Sequence, residues 1–400
     1  MRAAAVLATG PSTTRFADAG AYLNGARVLA ETGAYPRETE PHLFRPPGFP
    51  VFLVAATLGH PERIAAARLA NAALGALVPG LLAALSARLF RRRGLALATG
   101  VLAALHPSFV LAASDLQSEP LFLVFLLAAA YLLLAAADRP SSNLAVLAGA
   151  CLALATLTRS VGLALAPFLL APILDRRHPR RADLHVAFSA LLGFGGALLP
   201  WTLRNAAVFH EFLLVNDGAG VLFWGRNSDA ALRLADAPDR AALRQAVDAL
   251  ERRRAEVIES LPEDVRRSPG ALSRAMTRAA LAERAADRAG TRRLLAWKIG
   301  DWLRPYPDPR FWPRAFVLAG GLYYAALFAL AAVGLARAER RSAAAFAAAF
   351  LAWTMLVHVI LETNWRYRAA LWDPVLLLYA AFAAWLLIHP AADAAARAAA

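Results

Sequence analysis

Apolar residues in this chain run on for longer than a soluble core uses. Nine runs stand out, near residues 66–90, 95–113, 120–137, 143–158, 161–174, 184–200, 314–336, 342–361 and 370–388. A helix rises about 1.5 Å per residue and crosses roughly 30 Å of hydrocarbon in about 20 residues. The pattern therefore predicts an all-α polytopic membrane protein with about nine transmembrane helices. Arg159 interrupts 143–174, which reads as one long helix or as two short ones.

The arginines decide between the two. With two helices, the loops at 88–93, 138–142, 175–181 and 335–341 share one side of the membrane. They hold Arg88, Arg91, Arg92, Arg93, Arg139, Arg176, Arg177, Arg180, Arg181, Arg337, Arg340 and Arg341. The short loops of the other side hold only Arg159, Arg366 and Arg368. Basic loops stay cytoplasmic, so the bias favours two helices, and a short run still spans where the bilayer thins.

This topology makes 1–65 an extracytoplasmic first loop, 66–200 a transmembrane block, 201–310 an extracytoplasmic region, 311–390 the C-terminal transmembrane helices and 391–400 a cytoplasmic tail. An N-terminus outside with no span before it suggests that an expected first helix is missing. Residues 18–31 have the spacing of an amphipathic helix. Residues 46–60 come after the turn Pro46-Pro47-Gly48 and are apolar for too few positions to cross, as in an interfacial helix. The 201–310 region opens with turn residues, Asn216-Asp217-Gly218-Ala219-Gly220 and Gly225-Arg226-Asn227. It then has helical periodicity over 229–300, broken near Pro262 and Pro269.

Composition narrows the function classes. Hydrophobic residues make up 59% and charged residues 18%, with mean hydropathy +0.45. Soluble domains have about 45–50% and about 25%. Disordered, collagen-like and disulfide-scaffold chains are excluded, and a soluble enzyme is disfavoured. The net charge of +14 would also suit nucleic acid, but no basic stretch is interleaved with aromatics. No nucleic-acid partner is expected. Lys298 is the only lysine, and the Ala- and Arg-rich usage suggests a GC-rich bacterial genome, hence a bacterial cytoplasmic (inner) membrane. Cys151 stands alone, so there is no disulfide framework.

Charged groups at membrane depth are costly and point to function. The expected extracytoplasmic side collects Asp18 and Tyr22 at helical spacing, Asp115 and Glu119 in one short loop, and Arg159 at a tight hairpin. It also collects Arg204 and Asn205 just past a span ending at Pro200, and Glu362, Arg366, Tyr367 and Arg368 in another loop. Arginines suit a phosphate and a carboxylate suits proton transfer. Structural readings compete: Asp18 as a helix N-cap, Glu119 as an acid at a helix start, Arg366 and Arg368 as headgroup contacts. His358 and Glu362 share a helical spacing, a weak metal signal. There is no Walker loop, HExxH, CxxC, GxSxG or Asp-x-Asp pair.

In order, the chain carries Asp18-Ala19-Gly20-Ala21-Tyr22, Gly33-Ala34-Tyr35-Pro36, Phe44-Arg45-Pro46-Pro47-Gly48-Phe49-Pro50, Leu105-His106-Pro107-Ser108 and Ser118-Glu119-Pro120-Leu121. Then come Leu157-Thr158-Arg159, Pro200-Trp201-Thr202-Leu203-Arg204-Asn205, and Gly220 with Trp224-Gly225-Arg226-Asn227. Last are Glu362-Thr363-Asn364-Trp365-Arg366-Tyr367-Arg368 and Asp373-Pro374. With these elements the chain resembles the GT-C class of membrane glycosyltransferases. Within that class it resembles glycosyltransferase family 39, dolichyl-phosphate-mannose protein mannosyltransferase-like and aminoarabinose transferase-like proteins. The resemblance implies transfer of one sugar from a polyprenyl-phosphate donor to an extracytoplasmic acceptor, with an acid of the first loop, here Asp18, at the reacting centre.

On that reading Asp18 takes the acceptor proton and Glu119 orients the sugar or supports Asp18. Tyr22, Asp115, Arg159, Arg204, Arg366, Tyr367 and Arg368 bind substrate. No cofactor is required, and a divalent metal is possible but has no support in the sequence. Membrane lipid is the other expected partner. The alternatives are a membrane transporter or lipid flippase, and an inactive truncated GT-C homologue.

Overall fold

A computed structural model of the chain describes residues 1–10, 14, 18–35, 45–174, 180–216, 218–339 and 341–390. Pro36, Phe44, Arg176, Arg177, Asp217, Arg340 and the tail 391–400 lie outside the described residues.

Among the described residues the regular structure is helical throughout. The first part runs α1 (Arg2–Ala8), α2 (Asp18–Thr32), α3 (Gly48–Ala56), α4 (Ile64–Gly75), α5 (Leu77–Phe90), α6 (Arg93–Leu105), α7 (Pro107–Ala113), α8 (Glu119–Asp138) and α9 (Ser142–Thr158). A 3₁₀ helix (Ser160–Leu170) leads into α10 (Ala171–Leu174) and the long α11 (Arg181–Phe209). A helical layer comes next: α12 (Ala219–Asn227), α13 (Asp229–Asp236), α14 (Arg240–Glu259), α15 (Glu263–Arg267), α16 (Pro269–Ala286) and α17 (Arg288–Leu303). The chain then returns to the bundle with α18 (Arg314–Ala336), α19 (Arg341–Ile360) and α20 (Trp365–Ile388).

Among the described residues six segments are long and apolar enough to cross a membrane: α4 with α5, α8, α11, α18, α19 and α20. The pair α6–α7 makes a seventh, bent by 56° at His106–Pro107. The protein is an integral membrane protein. Only helices close their own backbone hydrogen bonds in hydrocarbon, and the outward faces carry Phe188, Leu192, Leu318 and Leu322, all strongly exposed.

Several boundaries differ from the sequence reading. The 161–174 run is mostly 3₁₀ and contains Pro167. At about 2.0 Å per residue, that winding with α10 extends to about 28 Å, which lets a short run reach across the bilayer. Helix α11 does not end at Pro200. Pro200 sits inside it, and Trp201, Arg204 and Asn205 are helical. Likewise Arg366, Tyr367 and Arg368 are not a loop but lie at the start of α20. The stretch 46–60, expected as an interfacial helix, forms only the nine-residue α3.

Small residues set the helix spacing. A Cβ on Gly149 of α9 would stand 1.8 Å from the Ala190 carbonyl oxygen, and one on Gly193 of α11 would stand 2.0 Å from that of Val146. The two backbones touch, as membrane helices do at small residues. Helix α20 is the most enclosed of the spans, with 72% of its apolar window buried. Helices α12, α13, α14 and α16 hold a core of their own around Trp224, Leu250, Leu272 and Met276.

The bundle has two chemically different ends. At one end Arg88 pairs with Asp138 at 2.7 Å, and Arg92 pairs with Glu339. At the other stand the starts of α2, α8 and α20 and the end of α9.

Candidate active site

Local helix geometry fixes each charged side chain at that second end. Asp18 opens α2 and Glu119 opens α8, where the partial positive charge of a helix N-terminus favours an acid. Arg159 comes just after the last residue of α9, where a cation is favoured for the converse reason. Arg366 is the exception. It is a cation in the first turn of α20, at the helix end that disfavours one, so its place depends on partners from elsewhere.

Those partners are the two acids. Arg366 Nη1 reaches Asp18 Oδ2 at 3.1 Å, and its Nη2 and Nε reach Glu119 Oε1 at 2.9 and 3.2 Å. Arg159 Nη1 lies 3.1 Å from the same Glu119 oxygen and donates to Ser118 Oγ at 3.0 Å. Ser118 Oγ is also 3.0 Å from the Tyr22 hydroxyl. Asp18 and Tyr22 thus share a face of α2, as their spacing predicts. Glu119 Oε2 is buried with no hydrogen-bond partner, an acceptor held open beside two guanidiniums.

Packing of the first loop puts Asp18 there. Tyr22 meets Phe49 edge-on at 4.9 Å between ring centroids, and Ala19, Ala26, Leu53 and Leu116 fill the space behind them. The turn before α3 lies against the end of α9. A Cβ on Gly48 would come 2.8 Å from the Leu157 carbonyl oxygen. This brings in Arg45, which pairs with Asp18 Oδ1 at 2.8 Å and lies over the Tyr22 ring at 5.3 Å. Arg45 Nε is buried and has no hydrogen-bond partner.

Burial pushes the Asp18 carboxyl upward, but Arg45, Arg366 and Arg159 outweigh it and hold its pKa below the ordinary carboxylate value. The carboxylate is ionised at neutral pH, and its basicity depends on how many guanidiniums face it.

The cluster continues outward. The Tyr367 ring lies under Arg159 at 4.7 Å, and its hydroxyl donates to Glu362 Oε2 at 3.4 Å. Glu362 Oε1 pairs with Arg226 of α12 at 2.6 Å. Four guanidiniums (Arg45, Arg159, Arg226, Arg366) therefore alternate with three carboxylates (Asp18, Glu119, Glu362), one positive charge in excess.

Of the residues singled out from sequence, Asp18, Tyr22, Glu119, Arg159, Arg366 and Tyr367 come together. Three do not. Arg368 is buried on the other side of α20. It donates to the carbonyls of Trp302, at 3.2 Å, and Arg304, and lies over the Tyr324 ring at 4.7 Å. Asp115 is buried in its loop and accepts from the Leu116 amide at 2.7 Å. Arg204 stands behind the site: it donates to the Tyr35 carbonyl at 2.7 Å, and the Tyr35 hydroxyl donates to the Arg45 carbonyl at 2.9 Å.

Arg45, Ser118 and Arg226 belong to the cluster, although the sequence did not mark them as site residues, and Glu362, collected from the sequence without a role, joins them; each lies within one of the family-like motifs. His358 and Glu362 do not form a metal pair, because α19 ends at Ile360 and Glu362 turns to Arg226. Among the described residues no three His, Cys, Asp or Glu side chains converge on one point. His106 and Asp373 meet each other instead, at 2.6 Å, in a buried network with Tyr323 and Tyr324 at the α6–α7 bend.

A family profile described as dolichyl-phosphate-mannose-protein mannosyltransferase matches residues 45–201. This stretch includes Arg45, Ser118, Glu119 and Arg159. The chain also superposes on the archaeal oligosaccharyltransferase AglB from Archaeoglobus fulgidus, solved with an inhibitory peptide and a dolichol-phosphate. The TM-score is 0.55 at 16% identity, over 94% of this chain and 48% of that one. The chain has the GT-C fold. It spans about half the length of the AglB chain. Two structures of ArnT from Cupriavidus metallidurans are also similar, one bound to undecaprenyl phosphate and one in the apo state. They have TM-scores of 0.44 and 0.42 at 18% and 19% identity, over 95% of this chain and 75% of theirs. No curated protein matches by sequence. Within this GT-C fold, the Asp18–Arg366–Glu119 cluster stands at one end of the spans.

Proposed function

We propose that the chain is an inverting glycosyltransferase that moves one sugar from a polyprenyl-phosphate donor to an extracytoplasmic acceptor. The observation that carries this reading is Arg366 bridging Asp18 and Glu119 at the end of the most enclosed span. A fork-shaped guanidinium matches a phosphate as well as it matches carboxylates. The excess positive charge of the cluster equals the single negative charge of a phosphodiester-linked sugar. The likeness to a dolichyl-phosphate-mannose family profile and to the GT-C fold supports the same donor class.

The lipid chain has a path. An apolar cavity of about 380 Å³ lies between α8, the 3₁₀ helix, α19 and α20, lined by Leu126, Leu133, Phe168, Phe350 and Leu371 among others. It starts about two turns of α8 below Glu119. A phosphate at Arg366 would place its isoprenoid chain along this seam.

The chemistry is a displacement at the anomeric carbon. The donor phosphate takes Arg366 and the open Nε of Arg45, which loosens both from Asp18. The carboxylate then becomes a stronger base and accepts the proton of the acceptor hydroxyl. The acceptor oxygen forms its bond to the anomeric carbon as the bond to the phosphate oxygen breaks, and that electron pair stays on the phosphate. Guanidiniums stabilise the developing charge, so no general acid or metal ion is required. Glu119 Oε2 accepts from a sugar hydroxyl.

In this scheme the site faces the extracytoplasmic side, because the arginine-rich loops stand at the opposite end of the bundle. The test is turnover of a panel of polyprenyl-phosphate sugars by the full chain in nanodiscs with a crude envelope acceptor. Release of free polyprenyl phosphate with equimolar sugar transfer is expected. Movement of the intact donor between leaflets without cleavage would establish the transporter reading instead.

A further inference from the structure

The chain uses arginine for every strong base but one. Of 43 lysines and arginines only Lys298 is lysine, and its side chain is 1% exposed. Its ammonium donates to Asn227 Oδ1 at 2.9 Å and to the carbonyls of Leu361 and Ile360 at 3.3 and 3.4 Å. Asn227 turns its own amide to the same two carbonyls, at 3.1 Å to Ile360 and 3.4 Å to Leu361. These carbonyls close α19, where the helix leaves acceptors unsatisfied and carries partial negative charge. Three acceptors around a point charge suit an ammonium, whereas a planar guanidinium with five donors does not fit that arrangement.

The chain passes from those carbonyls directly into the site. Glu362 pairs with Arg226, the neighbour of Asn227. Asn364 caps α20 by accepting from the Arg366 amide at 3.0 Å. Only residues 361–364 separate the end of α19 from the helix that carries Arg366.

We propose that Lys298 is a positioning residue: it clamps the turn between α19 and α20 to the helical layer and so holds Arg366 within reach of Asp18 and Glu119. The proposal rests on Arg366 being the phosphate-binding residue. The charged groups facing Lys298 are Arg226 and Glu362. Burial and Arg226, opposed by Glu362, pull its pKa down to about 8. Above that value the amine keeps two donors for three acceptors, and the turn loosens.

The test uses the full chain in nanodiscs with undecaprenyl phosphate as the probe. Lys298→Met is expected to weaken binding about tenfold, the loss of one charge-assisted contact set, and Lys298→Arg not to restore it. Wild-type affinity falls between about pH 7 and 9 with a midpoint near the lysine pKa of about 8, and Lys298→Met lacks that fall. Amide hydrogen exchange at 361–364 rises about tenfold in Lys298→Met while α8 stays unchanged. Wild-type affinity in Lys298→Met, or an unchanged pH profile, overturns the proposal. If the wild type does not bind the probe, the proposed function fails, and exchange at 361–364 alone decides the clamp: no change there overturns it. If Lys298→Met does not fold, reductive methylation of the wild type modifies no other lysine. Methylation of this buried amine is verified by mass; it keeps the charge but removes donors, and unaltered probe binding by the methylated protein overturns the clamp.

Discussion

Arg366 and Glu119 are separated by most of the chain, yet Nη2 and Nε of the one both reach Oε1 of the other, at 2.9 and 3.2 Å. The remaining nitrogen of the fork reaches Asp18 at 3.1 Å. Both acids sit at helix starts that favour them, and Arg366 sits at one that does not. The arginine is therefore held by the carboxylates, and a phosphate that competes for it changes the charge around both.

Arg366→Gln is expected to lower kcat/KM for a polyprenyl-phosphate sugar by about 10²–10³, the range for loss of one preorganised charge-stabilising donor. Arg366→Lys recovers only part of this, because an ammonium cannot span three carboxylate contacts. Steady-state kinetics with the two variants side by side checks it, and full recovery by Lys would contradict the fork geometry.

On the proposed mechanism the acid limb of the pH–rate profile is expected to report Asp18. Arg45, Arg366 and Arg159 hold its pKa below the ordinary carboxylate value. The stabilisation they give the ionised form is complete above that value and is lost as pH falls through the lowered pKa. Arg45→Gln removes one of them, so its acid limb moves to higher pH. A profile that stays in place, or moves to lower pH, contradicts the pairing.

Gly193→Leu is expected to destabilise the bundle. Its side chain would meet the Val146 carbonyl, and overpacking costs typically about 1–3 kcal/mol or more where backbone must move. Gly195→Ala, two residues on and with open space around it, serves as the control. Thermal unfolding in the same detergent compares them, and equal midpoints would contradict the backbone contact between α9 and α11.

Much of the fold was legible because hydropathy and arginine placement are statistical properties of long segments. All nine apolar runs are helical, although among the described residues only six, or seven with the bent α6–α7 pair, are long and apolar enough to cross a membrane, against the nine spans expected; the division of 143–174 at Arg159 comes from charge bias alone. The helix boundaries were less legible. Pro200 and the polar residues of 364–368 look like breaks, yet Pro200 is carried inside α11 and Asn364 caps a helix that starts among the charges. The site divides in the same way. Asp18, Glu119, Arg159 and Arg366 stood out because they are charges collected at one level of the membrane, on the side that the positive-inside bias leaves poor in arginine. Arg45 did not, because an arginine beside Pro46-Pro47 in a loop carries no such signal. Its role comes from the approach of Gly48 to Leu157, which only packing reveals. Arg366 and Arg368 share one signal, and the helical turn between them sends one to the acids and the other to the carbonyls of Trp302 and Arg304.

In the proposed reaction Asp18 takes the acceptor proton while arginines hold the donor phosphate. Single-turnover sugar transfer by Asp18→Asn, measured beside binding of the same polyprenyl-phosphate sugar, tests it most directly. The expected result is a transfer rate lower by about 10²–10⁴, with donor affinity within about threefold of wild type. Transfer by Asp18→Asn at the wild-type rate would contradict the account.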